Sequence, residues 1–244
     1  MILMSDLLIN RHDRVAVLTL NRPEHGNRLT TSLANDVAAA LEAARHDDGV
    51  CAGVLTGAGD VFCVGGDYAS AGPTAVGRKA YADALLRMDR AMAGLGKPLI
   101  AAVNGAAHAG GFAAVIACDM AIAADDATFG LPEAAKGLFP FIALAIVKDA
   151  LPKKLLFDLV YSARLMSAME ARAMHVINEV VPRSTVLERA IALAEMAGSH
   201  SPRIVALGRD LYYAMRGQRA DDALEASADA LLAALHAYQA DRGP

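Results

Sequence analysis

Two short segments carry the residue types from which an anion site can be built. In Phe62-Cys-Val-Gly-Gly-Asp67 a β-prone run ends in Gly65-Gly66. In Val103-Asn-Gly-Ala-Ala-His-Ala-Gly-Gly-Phe-Ala-Ala114 a second run ends in Gly110-Gly111 and passes straight into an apolar, helix-prone stretch. Such a turn leaves backbone N–H groups without partners, and the positive end of the following helix dipole adds to them. That point can hold an anion or a developing oxyanion. The same glycines would also serve plain close packing of strand on helix. Two turns of this make, aimed at one carbonyl oxygen, would supply the pair of donors about 3 Å away that enolate stabilisation requires.

Other polar residues near these turns read more simply. His108 can titrate near neutrality, yet a ring packed or hydrogen-bonded in the turn accounts for it. Asp67 is expected to fix its Gly-Gly turn by accepting from backbone N–H groups. Asp119 and Asp125 read as structural. Cys63 lies beside the turn without the His or Asn pairing that makes a nucleophile.

Strands alternate with helices around both turns. Val15–Leu20 is β-prone and ends in the turn cluster Asn21-Arg-Pro-Glu-His-Gly26. Thr31 or Ser32 caps a helix to about Arg45, with Leu33, Val37, Leu41 and Ala44 at helical spacing. Strands follow at Cys51–Thr56 and Val61–Val64. Residues 68–77 read as loop, and Arg78–Leu95 as an amphipathic helix stopped by Gly96 and Lys97-Pro98. Leu99–Val103 is a strand, Asn104–Gly111 the glycine-rich turn and Phe112–Cys118 a helix. Met120–Ala124 and Thr128-Phe129 are strands. From Leu144 onward helical patterns dominate, at Ala145–Leu151, Lys154–Tyr161, Ala168–His175, Thr185–Ser199, Ser201–Arg216 and Ala220–Ala240. One last strand falls at Ile177–Val181. The pattern is α/β, with a core over residues 1–183 and a helical part over 184–244.

Composition narrows the function classes. The chain has 244 residues, of which 55% are hydrophobic and 20% charged, enough to bury a sizeable core and exclude intrinsic disorder. Alanine is roughly a fifth of the total, which favours close helix packing. The net charge is −4, and no basic stretch is dense enough to track a phosphate backbone, which argues against nucleic acid. Cys51, Cys63 and Cys118 form no CxxC pattern. They point away from a disulfide framework or structural zinc and toward a reducing compartment, the cytoplasm. Pro98–Cys118 lacks Asp, Glu, Lys and Arg over 21 residues, but Asn104, His108 and its glycines suit strand, turn and buried helix better than a membrane span. Met1-Ile-Leu-Met4 is apolar but stops at Ser5-Asp6, and is not read as a secretory leader. No internal repeat or low-complexity linker is visible.

A set of motifs stands in the order and spacing of the crotonase (enoyl-CoA hydratase/isomerase) superfamily. They are Asn21-Arg-Pro-Glu-His-Gly-Asn27, Leu55-Thr-Gly-Ala-Gly59, Phe62-Cys-Val-Gly-Gly-Asp67, Lys97-Pro98 with Ala101-Ala-Val-Asn-Gly105, Ala109-Gly-Gly111, Ala117-Cys-Asp119 and Phe129-Gly-Leu-Pro-Glu133. The chain resembles that superfamily over residues 5–183. The resemblance implies a spiral of ββα turns and an acyl-CoA thioester substrate. It implies no metal and no cofactor beyond the coenzyme A of the substrate. It also implies a homotrimer or dimer of trimers, for which the alanine-rich helices after Thr185 would serve as the trimerisation region. Carried over position by position, the oxyanion hole falls on the N–H groups of Gly66 and Gly110 and the catalytic acid on Glu133. Acyl-CoA contacts fall on Arg28, Leu29, Cys63, Val64, Gly66, Asp67, Tyr68, Gly110, Ala113, Pro132 and Phe141. Arg28 replaces a residue usually small in the family, and either pairs with a CoA phosphate or is a solvated cation.

One departure from the family pattern sets the expected chemistry. The hydratase pattern has two carboxylates; the second falls on Glu133, but the first falls on Ala113. The third acid of dienoyl-CoA isomerases falls on Phe141. A single carboxylate among Leu131, Pro132, Leu138, Phe139 and Phe141 suffices for a 1,3-proton shift. The arrangement resembles the single-glutamate Δ3,Δ2-enoyl-CoA isomerases, so conversion of a 3-enoyl to a 2-enoyl thioester is the leading expectation. A hydratase (a lyase) of fatty-acid or related acyl-CoA degradation is the alternative, as is a non-catalytic acyl-CoA-binding paralogue. Apart from the resemblance, Glu133 reads as a helix-start acid complementing the dipole. The sequence ends at Asp241-Arg-Gly-Pro244, where the family often continues with a charged, aromatic segment.

Overall fold

Strand character along the first third of the chain builds a sheet with one exposed edge. The structure, a computed structural model, describes residues 5–240. Leu7–His12 (β1) pairs antiparallel with Val15–Leu20 (β2). Past Leu7, β1 is exposed, and Arg11 and His12 blunt that edge. There follow α1 (Thr31–His46), β3 (Ala52–Gly57), β4 (Val61–Cys63), α2 (Ala75–Ala93), β5 (Leu99–Val103), β6 (Ala106–His108), α3 (Gly110–Ala117), β7 (Met120–Ala124) and β8 (Thr128–Gly130). Then come α4 (Phe141–Val147), α5 (Lys153–Ser162), β9 (Met166–Ser167), α6 (Ala168–Ala173), β10 (Glu179–Val181), α7 (Val186–Ala197), α8 (Pro202–Ala214) and α9 (Ala220–Ala240).

A six-stranded sheet runs β1-β2-β3-β5-β7-β10, and a four-stranded sheet runs β4-β6-β8-β9. From β2 to β10 the larger sheet is parallel. Its inner strands are buried on both faces, which is why they read as continuous apolar runs. One strand of each sheet is followed by a helix three times in succession: β3-β4-α2, β5-β6-α3 and β7-β8-α4. This is the spiral of ββα turns. It has one consequence for function. Because β4, β6 and β8 are neighbours, the turns that leave them lie side by side.

Large and small residues divide the core between them. Phe62, Phe112 and Phe129 are fully buried, with the Phe112 and Phe129 rings 5.9 Å apart. β5 and β7 are rich in alanine, and their flat surface lets α7 lie across β3, β5 and β7. Val186, Ala190, Leu193 and Ala194 form the buried stripe of α7 at helical spacing. The region after residue 183 is therefore helical, but its first helix covers the sheet, and the core extends beyond that boundary. α8 is fastened by Arg209, which binds Asp119 at 2.8 Å and the Met92 and Ala93 carbonyls at the end of α2. α9 leaves Leu224, Leu231, Leu232 and Leu235 exposed.

Several boundaries differ from the sequence reading, each for a local reason. α1 is capped by Thr30, whose side chain accepts from Leu33 N at 3.0 Å, and not by Thr31 or Ser32. Residues 68–77 are not loop throughout. A short 3-10 helix spans Tyr68–Ala71, and α2, capped by Thr74, starts at Ala75, ahead of Arg78. α3 begins at Gly110, so the expected turn shrinks around β6. α4 starts just after Pro140, earlier than Ala145. β1 and β9 lacked a clear alternating pattern. Pro98–Cys118 resolves into strand, turn and helix, and no described helix is long and apolar enough to cross a membrane. Met1–Met4 and Asp241–Pro244 lie outside the described residues.

Candidate active site

Asn27 holds the β4 turn from behind. It is fully buried at φ +52; it accepts from Arg22 N at 2.9 Å and donates to Ala58 O at 2.9 Å and Val61 O at 2.6 Å. Those bonds tie the loop before α1 to the β3–β4 connection. Leu29 then makes an isolated parallel bridge to Gly66. Leu29 N donates to Gly65 O at 2.9 Å, and Asp67 N donates to Leu29 O at 2.8 Å. The Gly66 N–H, between them, has no partner among the described residues.

The neighbouring turn leaves a matching donor. Ala109 N donates to Gly130 O at 2.8 Å, and α3 starts at Gly110. The Gly110 N–H is thus one of the free amides that open a helix. The two turns abut. Gly66 N lies 3.8 Å from the place a Cβ on Gly110 would take, and Gly110 N lies 3.6 Å from the place of one on Gly65. Gly65 has φ +108, and a Cβ on Gly111 would strike the Cys63 carbonyl, so this backbone contact needs glycine at both positions.

Both turns open into a cavity of about 430 Å³ between α2, α3 and the segment that follows Glu133. Glu133 stands on its wall, carried by the short 3-10 helix Pro132–Lys136. Its side chain is 5% exposed, and Oε2 has no hydrogen-bond partner among the described residues. Burial pushes its carboxyl above the usual range, against smaller pulls from its own backbone N–H and from Lys136. Tyr68 and Tyr81 also line the cavity as an edge-to-face pair 5.9 Å apart, with the Tyr81 hydroxyl against Gly66. Burial raises the Tyr68 phenol, and the Glu133 charge adds to that.

Of the residues expected here, Leu29, Gly66, Tyr68, Gly110, Ala113, Glu133 and Phe141 line this cavity. Arg28, Cys63, Val64, Asp67 and Pro132 do not. Arg28 donates to the Gly66 carbonyl at 3.4 Å. Cys63 is buried under the turn, and burial pushes its thiol up to about 11. Val64 packs against Gly26. The Asp67 carboxylate accepts from Arg22 at 3.2 Å and not from the backbone of its turn. Arg22, which also donates to Arg28 O at 2.7 Å, offers it a charged partner that outcompetes neutral N–H groups. His108 bonds Thr128 Oγ1 at 2.9 Å, outside the cavity. Asp119 is structural, accepting from Leu99 N and Arg209. The sequence reading missed Asn27, Arg22 and the α2 face of Tyr81, Leu85, Met88 and Met92. Their helical spacing was the available signal for the last four. His12, Asp13 and Glu195 come near metal-ligand geometry, but they are exposed and line no part of the cavity.

A family model described as enoyl-CoA hydratase/isomerase matches residues 10–242. The chain belongs to that family. The enoyl-CoA hydratase EchA19 of Mycobacterium tuberculosis is 34% identical over 216 residues, which is 82% of this chain and 77% of that protein. The 2,3-dehydroadipyl-CoA hydratase of Escherichia coli is 32% identical over 200 residues, 82% of this chain and 78% of that protein. The crystal structure of an enoyl-CoA hydratase from Mycobacterium smegmatis matches with a TM-score of 0.89 at 26% identity, covering 95% of this chain and 91% of that one. This member of the enoyl-CoA hydratase/isomerase family is an acyl-CoA enzyme of hydratase/isomerase type on the crotonase fold.

The raised Glu133 pKa has a signature in stability. A carboxyl whose folded-state pKa lies above its unfolded value contributes fully below the unfolded pKa, and that contribution is lost as pH rises through the folded one. Relative to wild type, Glu133→Gln should therefore gain melting temperature as pH rises from the ordinary carboxylate range to neutrality. Calorimetric scans across pH read the difference. A gap that does not change with pH would mean that the Glu133 carboxyl titrates as if exposed.

Proposed function

We propose that this enzyme moves the double bond of an enoyl-CoA from the 3 to the 2 position with Glu133 as the only proton carrier. The observation that carries the reading is the buried Glu133 carboxyl, one oxygen of which has no hydrogen-bond partner among the described residues, in the cavity that Gly66, Gly110 and Ala113 also line. In this mechanism the thioester oxygen accepts from the Gly66 and Gly110 amides. Glu133 takes a proton from C2 of the 3-enoyl thioester, the charge spreads over a dienolate, and the same carboxyl returns the proton to C4. Each amide would stabilise the oxyanion by about 3–4 kcal/mol. A carboxyl with a raised pKa accepts and releases that proton more evenly than an ordinary one. Leu29, Tyr68 and Phe141, which line the cavity, are the proposed acyl contacts, and Arg28, on the loop bonded to the Gly66 carbonyl, is the proposed contact to the coenzyme phosphates.

The names of the relatives favour a second reading, hydration. The usual pair of acids would flank the water, and Ala113 cannot serve as one of them. Glu133 would then have to take a proton from water and deliver it to C2 while the oxygen adds to C3. We also propose that α8 and α9 assemble the enzyme as a homotrimer or dimer of trimers, since Ile204, Tyr212, Leu224 and Leu231 are exposed apolar residues on these helices. The free cysteines, two of them buried, are in keeping with the cytoplasm as its compartment.

Incubation with 3-enoyl-CoA in deuterated water separates the two reactions. The isomerase reading expects 2-enoyl product with deuterium exchanged at C2 and C4 and little 3-hydroxyacyl-CoA; dominant 3-hydroxyacyl-CoA would replace it with hydration. Glu133→Gln should lower kcat by about 10²–10⁴-fold with acyl-CoA affinity little changed, and Ala113→Glu should raise hydration. Near-normal turnover by Glu133→Gln would remove Glu133 from the chemistry. For assembly, light scattering at micromolar concentration should give three or six times the monomer mass; a monomer would refute the trimer.

A further inference from the structure

The cavity does not end at Glu133. It continues between α2 and α3, along Leu85, Met88 and Met92 on one wall and Ala114 and Ala117 on the other. Tyr81 marks its start, because its hydroxyl packs against Gly66. Eight residues further along α2, about 12 Å at the usual helical rise, stands Asp89, which also lines the cavity. Ala117 lies a similar distance beyond Gly110 along α3, about 10 Å. The end of the cavity remote from Gly66, otherwise walled by Leu85, Met88, Met92 and Ala117, thus carries a carboxylate.

Asp89 is unlike the other helix-borne aspartates around it. Asp83 is paired with Lys79, and Asp210 with Arg45. Asp89 is half-buried and neither accepts a hydrogen bond from, nor forms an ion pair with, any described residue. The cations nearest it, Arg216 and Arg90, act on it only through space, and Arg216 lies over the Tyr213 ring at 4.4 Å from its centroid. Burial outweighs both and raises its pKa. A methyl terminus pushed against this group would strip its remaining water and return nothing. A carboxylate terminus would meet like charge. A hydroxyl would donate to it.

We propose that Asp89 is a specificity residue that selects acyl chains bearing a hydroxyl toward the end remote from the thioester. The proposal rests on the acyl-CoA reading of the cavity, so its test uses unreactive saturated thioesters and is independent of which reaction follows. Titration calorimetry would compare hexanoyl-, octanoyl- and decanoyl-CoA with their ω-hydroxy counterparts and with octanedioyl-CoA. Wild type should bind the best-fitting ω-hydroxy thioester about tenfold tighter than its alkyl partner, and octanedioyl-CoA more weakly than octanoyl-CoA. Asp89→Leu should abolish the hydroxyl preference, and Asp89→Asn should keep part of it while relieving the penalty on octanedioyl-CoA. Alkyl chains binding wild type as tightly as ω-hydroxy chains at every length would overturn the proposal, as would an equal preference in wild type and Asp89→Leu. Failure of every thioester to bind would instead overturn the acyl-CoA reading, and this proposal with it.

Discussion

The site depends on two turns touching backbone to backbone. Gly65 and Gly111 leave no side chain between the end of β4 and the start of α3, so the Gly66 and Gly110 amides come within a few ångströms of one another. Among the described residues both amides lack partners, for reasons internal to the fold. One lies between the two hydrogen bonds of the Leu29 bridge, and the other opens a helix. Buried backbone donors left unpaired cost stability, and the surrounding structure holds them in place. Asn27 braces the first turn, the Ala109–Gly130 bond braces the second, and the parallel register of the short strands keeps them adjacent.

The same geometry sets what the cavity can do. Glu133 comes from the third turn of the spiral and enters the cavity that the first two turns open. One of its carboxyl oxygens has no partner among the described residues and is buried where water solvates it poorly. Ala113 stands one helical turn beyond Gly110 and offers only a methyl group. Two backbone donors and one buried carboxyl therefore share a small, mostly apolar space. The walls of α2 and α3 differ in kind. Small alanines on α3 leave room for a chain, while Tyr81, Met88 and Asp89 on α2 shape it.

Much of this was legible from residue types. The paired glycines announced the free amides, because a strand that ends in such a turn leaves backbone N–H groups without partners. The apolar runs of Val15–Leu20, Leu99–Val103 and Met120–Ala124 gave strands with those bounds. Legibility failed where partners are distant in sequence. Asp67 is bound by Arg22, 45 positions away, so local turn chemistry misassigned it. Asn27 could not be seen as a brace without the β3–β4 connection it meets. The helix start at Thr74 rests on a single cap to Gly77 N, and the strand at Leu7–His12 is held by its ladder with β2 and carries no alternating pattern of its own. Asp89 falls within the amphipathic pattern of Arg78–Leu95 without any signal of its own, and only the cavity beside it sets it apart.

Chemistry at this site requires that the Gly66 and Gly110 amides grip a thioester carbonyl. Isotope-edited infrared spectroscopy of a saturated acyl-CoA carrying ¹³C at that carbonyl tests this without any turnover. Two backbone donors on one oxygen polarise the bond, so the carbonyl stretch should fall to lower frequency when the thioester binds, in wild type and in Glu133→Gln alike. A bound thioester whose stretch stays where it is in water, or rises, would contradict the account.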